Sequence, residues 1–493
     1  MTHISRIASV LARRHPEIEV RPGSTGTAAY AHDAGTRPRV AHPDAPGPTV
    51  AFPATVEQVQ DVVRVAASLG VAVVPRGAGT GLSGGASADV GQLVVSTDRL
   101  DRVLEVSPAD ELVVVEAGVV NADLDAHLAP HGLFYAPDPA SYETSTIGGN
   151  VATNAGGLRC AKYGVTRESV LALDVVLADG SVLHTGHRSV KGVTGLDLTS
   201  LFVGSEGTLG IVVRATLRVR PRPVARRSLT AFFPDTLRGA HALVALAATP
   251  VRPAVVEFLD GPTLRGIDAH SGSDLSARGG SLVLVELDGY GIDEQTRDLT
   301  AALAAAGGTV RVESPEDAAH LWHLRRHGRG VGRGEPRWFV GEDVAVPRSV
   351  LPDVFAYLPE LERRYGVEAS AVAHAADGNL HPLLSRPVRA DDAPDVVPPD
   401  LAEAATALVR FAVAHGGTVS GEHGIGTVKR DWARLELDDV ALRAQHAVTA
   451  ALDPHALLNP GKALPVLEPR TPLDGPVPRA APSTHPDPVP TTV

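Results

Sequence analysis

The sequence predicts a mixed α+β protein of more than one domain, and three observations carry that reading. At 493 residues the chain exceeds what a single core supports. Its first half joins helical patterns to short β-branched runs through glycine-rich loops. Its second half has longer apolar strands with helices between them and fewer glycine clusters.

Composition narrows the class. Hydrophobic residues make up 44% and charged residues 21%, the balance of an ordinary globular protein. A formal charge of −12 without a basic stripe argues against nucleic acid as a partner. Cys160 is the only cysteine, so neither an internal disulfide nor a multi-cysteine metal site can form. The first sixteen residues, MTHISRIASVLARRHP, have too short an apolar stretch for a signal peptide, and no run approaches the ~18 apolar residues of a spanning helix. The expected location is therefore the cytoplasm, with peripheral contact at the inner membrane face left open. Lysine occurs only at Lys162, Lys191, Lys429 and Lys462 in an arginine-rich chain. A retained lysine can mark a place where the guanidinium fork does not fit.

Taken in order, residues 1–45 read as a short amphipathic helix and a Pro/Gly-rich approach. Thr55 offers an N-cap, Glu57 an early acid, and the helical spacing runs to Gly70 before the strand 71–74. Residues 75–85, PRGAGTGLSGG, contain G-x-G-x-x-G, yet a second strand at 92–96 follows instead of a helix. This is a strand-to-strand loop whose unhindered N–H groups suit a pyrophosphate; the bland alternative is a flexible turn. A strand at 112–118 and a helix from Asn121 to His131 come next. Residues 137–157, PDPASYETSTIGGNVATNAGG, are too small and polar to fill a core and suit backbone lying against a large planar ligand. AKYG at 161–164, a strand pair turning at Asp179-Gly180, and LFVGSEGTLGIV at 201–212 complete this half.

The second half carries the candidate chemistry. Asp377-Gly378 signals a two-residue hairpin turn, which sets His374 opposite His381. Opposed Cβ atoms lie roughly 4.5–5.5 Å apart, so the two imidazoles could grip a divalent ion, with Glu422 or His423 completing the shell. The alternative is two histidines on a surface hairpin. Residues 321–329 read as a helix with a dense basic cluster, either a solvated face or an anion site. Residues 401–416 form an apolar-periodic helix leading to Glu422-His423-Gly424.

The glycine-rich segments, in this order, resemble the FAD-binding domain of the vanillyl-alcohol oxidase/p-cresol methylhydroxylase flavoproteins. The resemblance runs from about Val50 to Leu464 and is greatest to the branch of the glycolate oxidase flavin subunit, cytochrome-type D-lactate dehydrogenases and D-2-hydroxyglutarate dehydrogenase. It implies an α+β chain with a two-subdomain FAD-binding domain over 46–224, after an N-terminal segment 1–45. An α+β substrate domain would span 225–420, an antiparallel sheet with helices on one side. A helical segment at 421–465 would return to the flavin, and 466–493 would be a disordered Pro-rich tail. FAD would be non-covalent, since no histidine lies between Val71 and Gly85. The residues so implied in FAD binding are Arg76, Gly77, Ala78, Gly79, Thr80, Gly81 and Leu82 of the first loop, then Asp138, Thr144, Gly148, Gly149, Asn150, Thr153 and Gly157. Tyr163, Gly164, Glu206, Gly210, Ile211 and Asn459 follow.

The same resemblance implies a metal held by His374, His381 and Glu422, His423 as base, and Arg325 on a substrate carboxylate. Here Ala376 stands where the family pattern H-x-G-D-G-N-x-H has glycine. A His₂-carboxylate set favours zinc, with manganese and iron as alternatives. The implied reaction is oxidation of a D-2-hydroxy acid, the proton going to His423 and hydride to flavin N5. Gly341 and Leu383 occupy the positions where dicarboxylate-specific relatives carry a lysine and a polar residue, which disfavours a dicarboxylate. The acceptor could be a quinone, a cytochrome, a partner flavoprotein or oxygen, and a homodimer is allowed. A non-redox ether-lipid synthase, a flavin-free metallohydrolase and a non-catalytic electron-transfer subunit are the competing readings.

Overall fold

A computed structural model describes residues 3–37, 44–327 and 336–467. The Pro-rich tail read from the sequence lies, beyond Leu467, outside the described residues. The chain begins with helix His3–Arg14, whose Ile7 and Leu11 pack on Val59, Val62 and Val63 of helix Val56–Leu69. Thr55 caps that second helix by accepting from Gln58 N, and Gly70 ends it at φ 62°. The helix is the crossover between parallel strands of a four-stranded sheet in the order Glu19–Arg21, Thr49–Phe52, Leu93–Ser96, Val73–Arg76. A five-stranded antiparallel sheet follows, in the order Val103–Ser107, Leu112–Glu116, Ile211–Arg218, Val170–Val176, Val182–Gly186. Where the sequence suggested only ligand-facing backbone at 144–157, helix Ile147–Thr153 forms, capped by Thr146.

Among the described residues the second domain holds one sheet of eight strands in which every pairing is antiparallel. Alternation along each strand gives it two apolar faces. Leu229, Ala231 and Phe233, with Val283, Val285 and Phe258, pack under helices Thr236–Ala247, Leu351–Tyr365 and Pro399–Ala414. The intervening residues Phe232, Leu282, Leu284 and Val372 pack beneath helices Gly261–Ser271 and Pro315–His327. Helices on both faces replace the one-sided layer expected from the sequence. The smaller face also carries Glu257, His374 and His381.

After helix Asp439–Leu452 the chain returns to the first domain. Leu457 O accepts from Val73 N, and Asn459 N donates to Val73 O, so this segment extends the edge of the four-stranded sheet. The C-terminal segment thus rejoins the first domain immediately beside the first glycine-rich loop.

Candidate active site

A cavity of about 430 Å³ runs between residues 76–86, helix Ile147–Thr153 and residues 205–212. Glu422 and His423 form part of its wall. The loop residues predicted to bind a cofactor, Arg76 to Leu82, line it, as do Gly148, Gly149, Asn150, Thr153, Glu206, Gly210 and Ile211. Arg76 is largely a strut: its guanidinium donates to the carbonyls of Ala29, His32 and Ala86 and is buried, which lowers its pKa. Asp138, Thr144, Gly157, Tyr163, Gly164 and Asn459 lie outside the lining. Tyr163 Oη instead donates to Asp288 of the second domain at 2.6 Å. Asn459 Nδ2 donates to the carbonyls of Gly85 and Glu206, joining the C-terminal return to both loops.

The hairpin departs from its expected register. His374 pairs with Asn379 and His381 with Val372, so the loop has four residues, Ala375 to Gly378. Ala376 sits inside that loop, clear of the ladder. The shift is by two residues, and side chains alternate with period two, so both histidines keep the same face. Their ring centroids are 5.0 Å apart, on a diagonal.

Both imidazoles turn Nε2 toward Glu422 Oε1, at 3.5 Å from His374 and 3.0 Å from His381. Each Nδ1 is backed by a buried carboxylate. Glu257 accepts from His374 Nδ1 at 2.6 Å, and Asp343 Oδ1 lies 3.8 Å from His381 Nδ1. Ligating histidines are normally oriented by a carboxylate hydrogen-bonded to the remote nitrogen, as Glu257 holds His374; with both Nε2 atoms turned to Glu422, the donor set fits a divalent ion held by His374, His381 and Glu422. His423 stacks on His381 with centroids 5.1 Å apart, and its Nε2 is 4.0 Å from Glu422 Oε1.

Electrostatics distinguish the two histidines. Burial lowers the pKa of both. At His374 the carboxylates of Glu257 and Glu422 outweigh it and push the value well up, whereas at His381 burial prevails. Glu422 moves well down, because the two imidazoles outweigh its burial. Arg325, read from the sequence as a substrate anchor, pairs with Glu257 at 2.5 Å and does not line the cavity.

Sequence reasoning missed Glu257 and Asp343. Glu257 stood in the open as the one charged residue of the apolar strand Val255–Leu259. The segment 420–428 reaches the first domain through Ser83, whose hydroxyl donates to the carbonyls of His423 and Gly424. Thr427 N and Val428 N donate back to Ser83 O. Gly84 is held at φ 82°, where a Cβ would also run into Thr427 Oγ1.

Comparison with known proteins decides what this arrangement belongs to. Residues 48–186 match the family described as FAD binding domain, and residues 222–463 match the C-terminal domain of FAD linked oxidases. Glycolate oxidase subunit GlcD of Bacillus subtilis is 35% identical over 444 residues, 89% of this chain and 92% of that protein. The chain belongs to the FAD-linked oxidase family. The chain is also similar to D-2-hydroxyglutarate dehydrogenase of Xanthomonas citri, 36% identical over 84% of this chain and 88% of its own length. The D-lactate dehydrogenase of Archaeoglobus fulgidus is 33% identical over 91% and 97%. Among solved structures, p-cresol methylhydroxylase with substrate bound superposes with a TM-score of 0.73 at 18% identity, covering 94% of this chain and 96% of that one. The fold of this FAD-linked oxidase is thus of the p-cresol methylhydroxylase type, a two-part FAD-binding domain with an α+β second domain. Among the described residues no helix is long and apolar enough to cross a membrane.

Proposed function

We propose that this FAD-linked oxidase oxidises a small D-2-hydroxy acid to the 2-oxo acid. The observation that most supports the reading is the convergence of His374, His381 and Glu422 beside His423, at the wall of the cavity in the FAD-binding domain. Hydroxy-acid oxidation is also what the names of its relatives report: glycolate oxidase subunit, D-lactate dehydrogenase and D-2-hydroxyglutarate dehydrogenase. When bound, FAD supplies the hydride acceptor, and a divalent ion, zinc first among the choices, supplies Lewis-acid polarisation of the substrate hydroxyl.

The chain's own residues would divide the remaining work. His374, His381 and Glu422 would hold the ion. His423 accepts the hydroxyl proton at its Nε2, the nitrogen nearer to Glu422. The loop 76–86, without a histidine, holds FAD by backbone N–H groups and no covalent tether. We assign Arg325 to holding Glu257, which its Nε and Nη2 engage at 2.5 Å, since it does not line the cavity. Leu383 lies two residues along from His381, hence on the same face, and directly opposite Gly341. An uncharged surface there favours a monocarboxylate over a dicarboxylate.

Anaerobic titration with D-lactate, glycolate and D-2-hydroxyglutarate, followed by flavin absorbance, tests this. Bleaching by a monocarboxylate, abolished by EDTA and restored by zinc, is the expected result. A colourless protein, or a yellow one that no hydroxy acid bleaches, would overturn the proposal.

A further inference from the structure

Asp343 is fully buried and follows the strand Arg337–Gly341 by two residues. Its Oδ2 accepts three hydrogen bonds from the segment that carries the third ligand and the base. They come from Ser420 Oγ at 2.8 Å, Glu422 N at 3.0 Å and His423 N at 2.9 Å. Its other oxygen faces His381 Nδ1 at 3.8 Å and takes no hydrogen bond among the described residues. Lys429, also buried, donates to Asp343 O at 2.5 Å and Val419 O at 2.8 Å, tying the main chains at both ends of this contact.

We propose that Asp343 is the positioning residue of the site, one carboxylate that fixes Glu422 and His423 against His381. The inference rests on the hydroxy-acid reading above and extends it to a residue outside the ligand and base set. Residues 420–424 belong to neither helix nor strand, so no backbone ladder sets where Glu422 and His423 point. A backbone N–H that follows another in sequence can share one acceptor only if the chain curls around it. The curl at Asp343 Oδ2 sends the Glu422 side chain toward the histidine pair and places His423 beside His381. The buried carboxylate is held there by its three donors, Ser420 Oγ, Glu422 N and His423 N. Asparagine, of equal size, would keep one carbonyl oxygen, lose the charge, and turn N–H groups toward one set of neighbours.

The test uses the FAD-loaded protein and zinc as the probe, with affinity measured by chelator competition. Asp343→Asn should retain flavin absorbance and bind zinc about 10–100-fold more weakly, the size of effect seen when an orienting partner of a metal ligand is lost. At saturating zinc its kcat should stay about 10-fold or more below wild type with KM little changed, because His423 is also displaced. A purely architectural role would lower the melting temperature and leave the zinc affinity of the folded protein alone; that result overturns the proposal. Ser420→Ala removes one of the three donors and serves if Asp343→Asn does not fold. It should weaken zinc a few-fold with flavin intact, and unchanged affinity counts against the proposal. If wild-type protein binds no zinc, the hydroxy-acid reading fails and takes this one with it. If wild type binds zinc and Asp343→Asn matches it, only the assignment of Asp343 fails.

Discussion

The site is assembled from two regions built on opposite principles. His374 and His381 stand on adjacent strands, Glu368–His374 and Asn379–Pro387, whose seven paired residues fix both side chains through backbone alternation. Glu422 and His423 stand on a strap, 420–428, without regular structure. Six of its N–H groups find acceptors one pair at a time: Glu422 and His423 on Asp343, Ile425 and Gly426 on Glu206, Thr427 and Val428 on Ser83. A sheet stores side-chain direction in parity, which survives a two-residue error in register. A strap stores it in a few buried acceptors, and each one is a single point of failure. The strap also spans the domains, since Asp343 belongs to the second domain while Glu206 and Ser83 line the cavity of the first.

The largest effect should come from the strap's own chemistry. His423→Asn is expected to leave a folded, yellow protein whose kcat falls by roughly 10²–10⁴, the range for loss of a general base. Stopped-flow reduction of the flavin measures it, and near-normal reduction would remove His423 from the reaction. Next comes the hairpin. Glu257→Gln should weaken zinc binding about 10–100-fold through His374, with flavin content unchanged. Glu257 is completely buried between His374 and Arg325. If chelator competition finds wild-type affinity, the carboxylate does not orient the ligand.

These two substitutions also mark where the sequence could and could not be read. The glycine-rich segments and the hairpin were legible because their information is local: small residues where backbone must be bare, alternation where a sheet has faces. The register of the hairpin was not. Asp-Gly favours a two-residue turn, but here it closes a four-residue loop in which Gly378 N donates to His374 O. Helix Ile147–Thr153 was hidden by its two glycines and a β-branched valine, poor helix formers overruled by packing of Ile147 and Val151 in the core. Glu257 and Asp343 were unreadable as partners, since they lie 117 and 79 residues from the groups they hold. The scarcity of lysine was more telling. Lys162 donates to Asp288 across the domains, Lys429 to Asp343 O and Val419 O, and Lys462 to Ser87 O and Asn459 Oδ1. All three place a compact ammonium among convergent oxygens, a point-charge geometry that suits lysine.

A smaller effect should follow from loosening the strap on its other side. Glu206 is buried, with backbone at φ 51°, and its carboxylate receives Ile425 N and Gly426 N, both at 2.8 Å. Burial raises its pKa, and the two N–H donors and Lys462 oppose that rise. Glu206→Gln keeps one acceptor oxygen and leaves one N–H short, a cost of about 1–3 kcal/mol. The expected outcome is a lower melting temperature with zinc affinity changed far less than in Asp343→Asn. An equal loss of zinc affinity in both variants would mean that the strap moves as one piece and that Asp343 has no special place in it.

The least effect, and the sharpest in sign, belongs to Lys462, which anchors the return of the chain beside the first loop. Burial brings its pKa down to about 8, against the pull of Asp33, Asp89 and Glu206. In the unfolded chain a lysine titrates near ~10.4. Below about pH 8 both states carry the proton, and the folded state bears the full cost of a desolvated cation. Between the two values the unfolded chain binds more protons than the folded one, so stability attributable to Lys462 rises with pH. Melting temperatures of wild type and Lys462→Met, compared from pH 7 to pH 10, should diverge in favour of wild type as pH increases. A constant difference would mean that the ammonium is stabilised by its carbonyl partners as well as water would stabilise it. The anchor of the C-terminal return beside the first loop would then be an ordinary surface-like contact, unlike the buried acceptors Asp343, Glu206 and Ser83 that hold the strap.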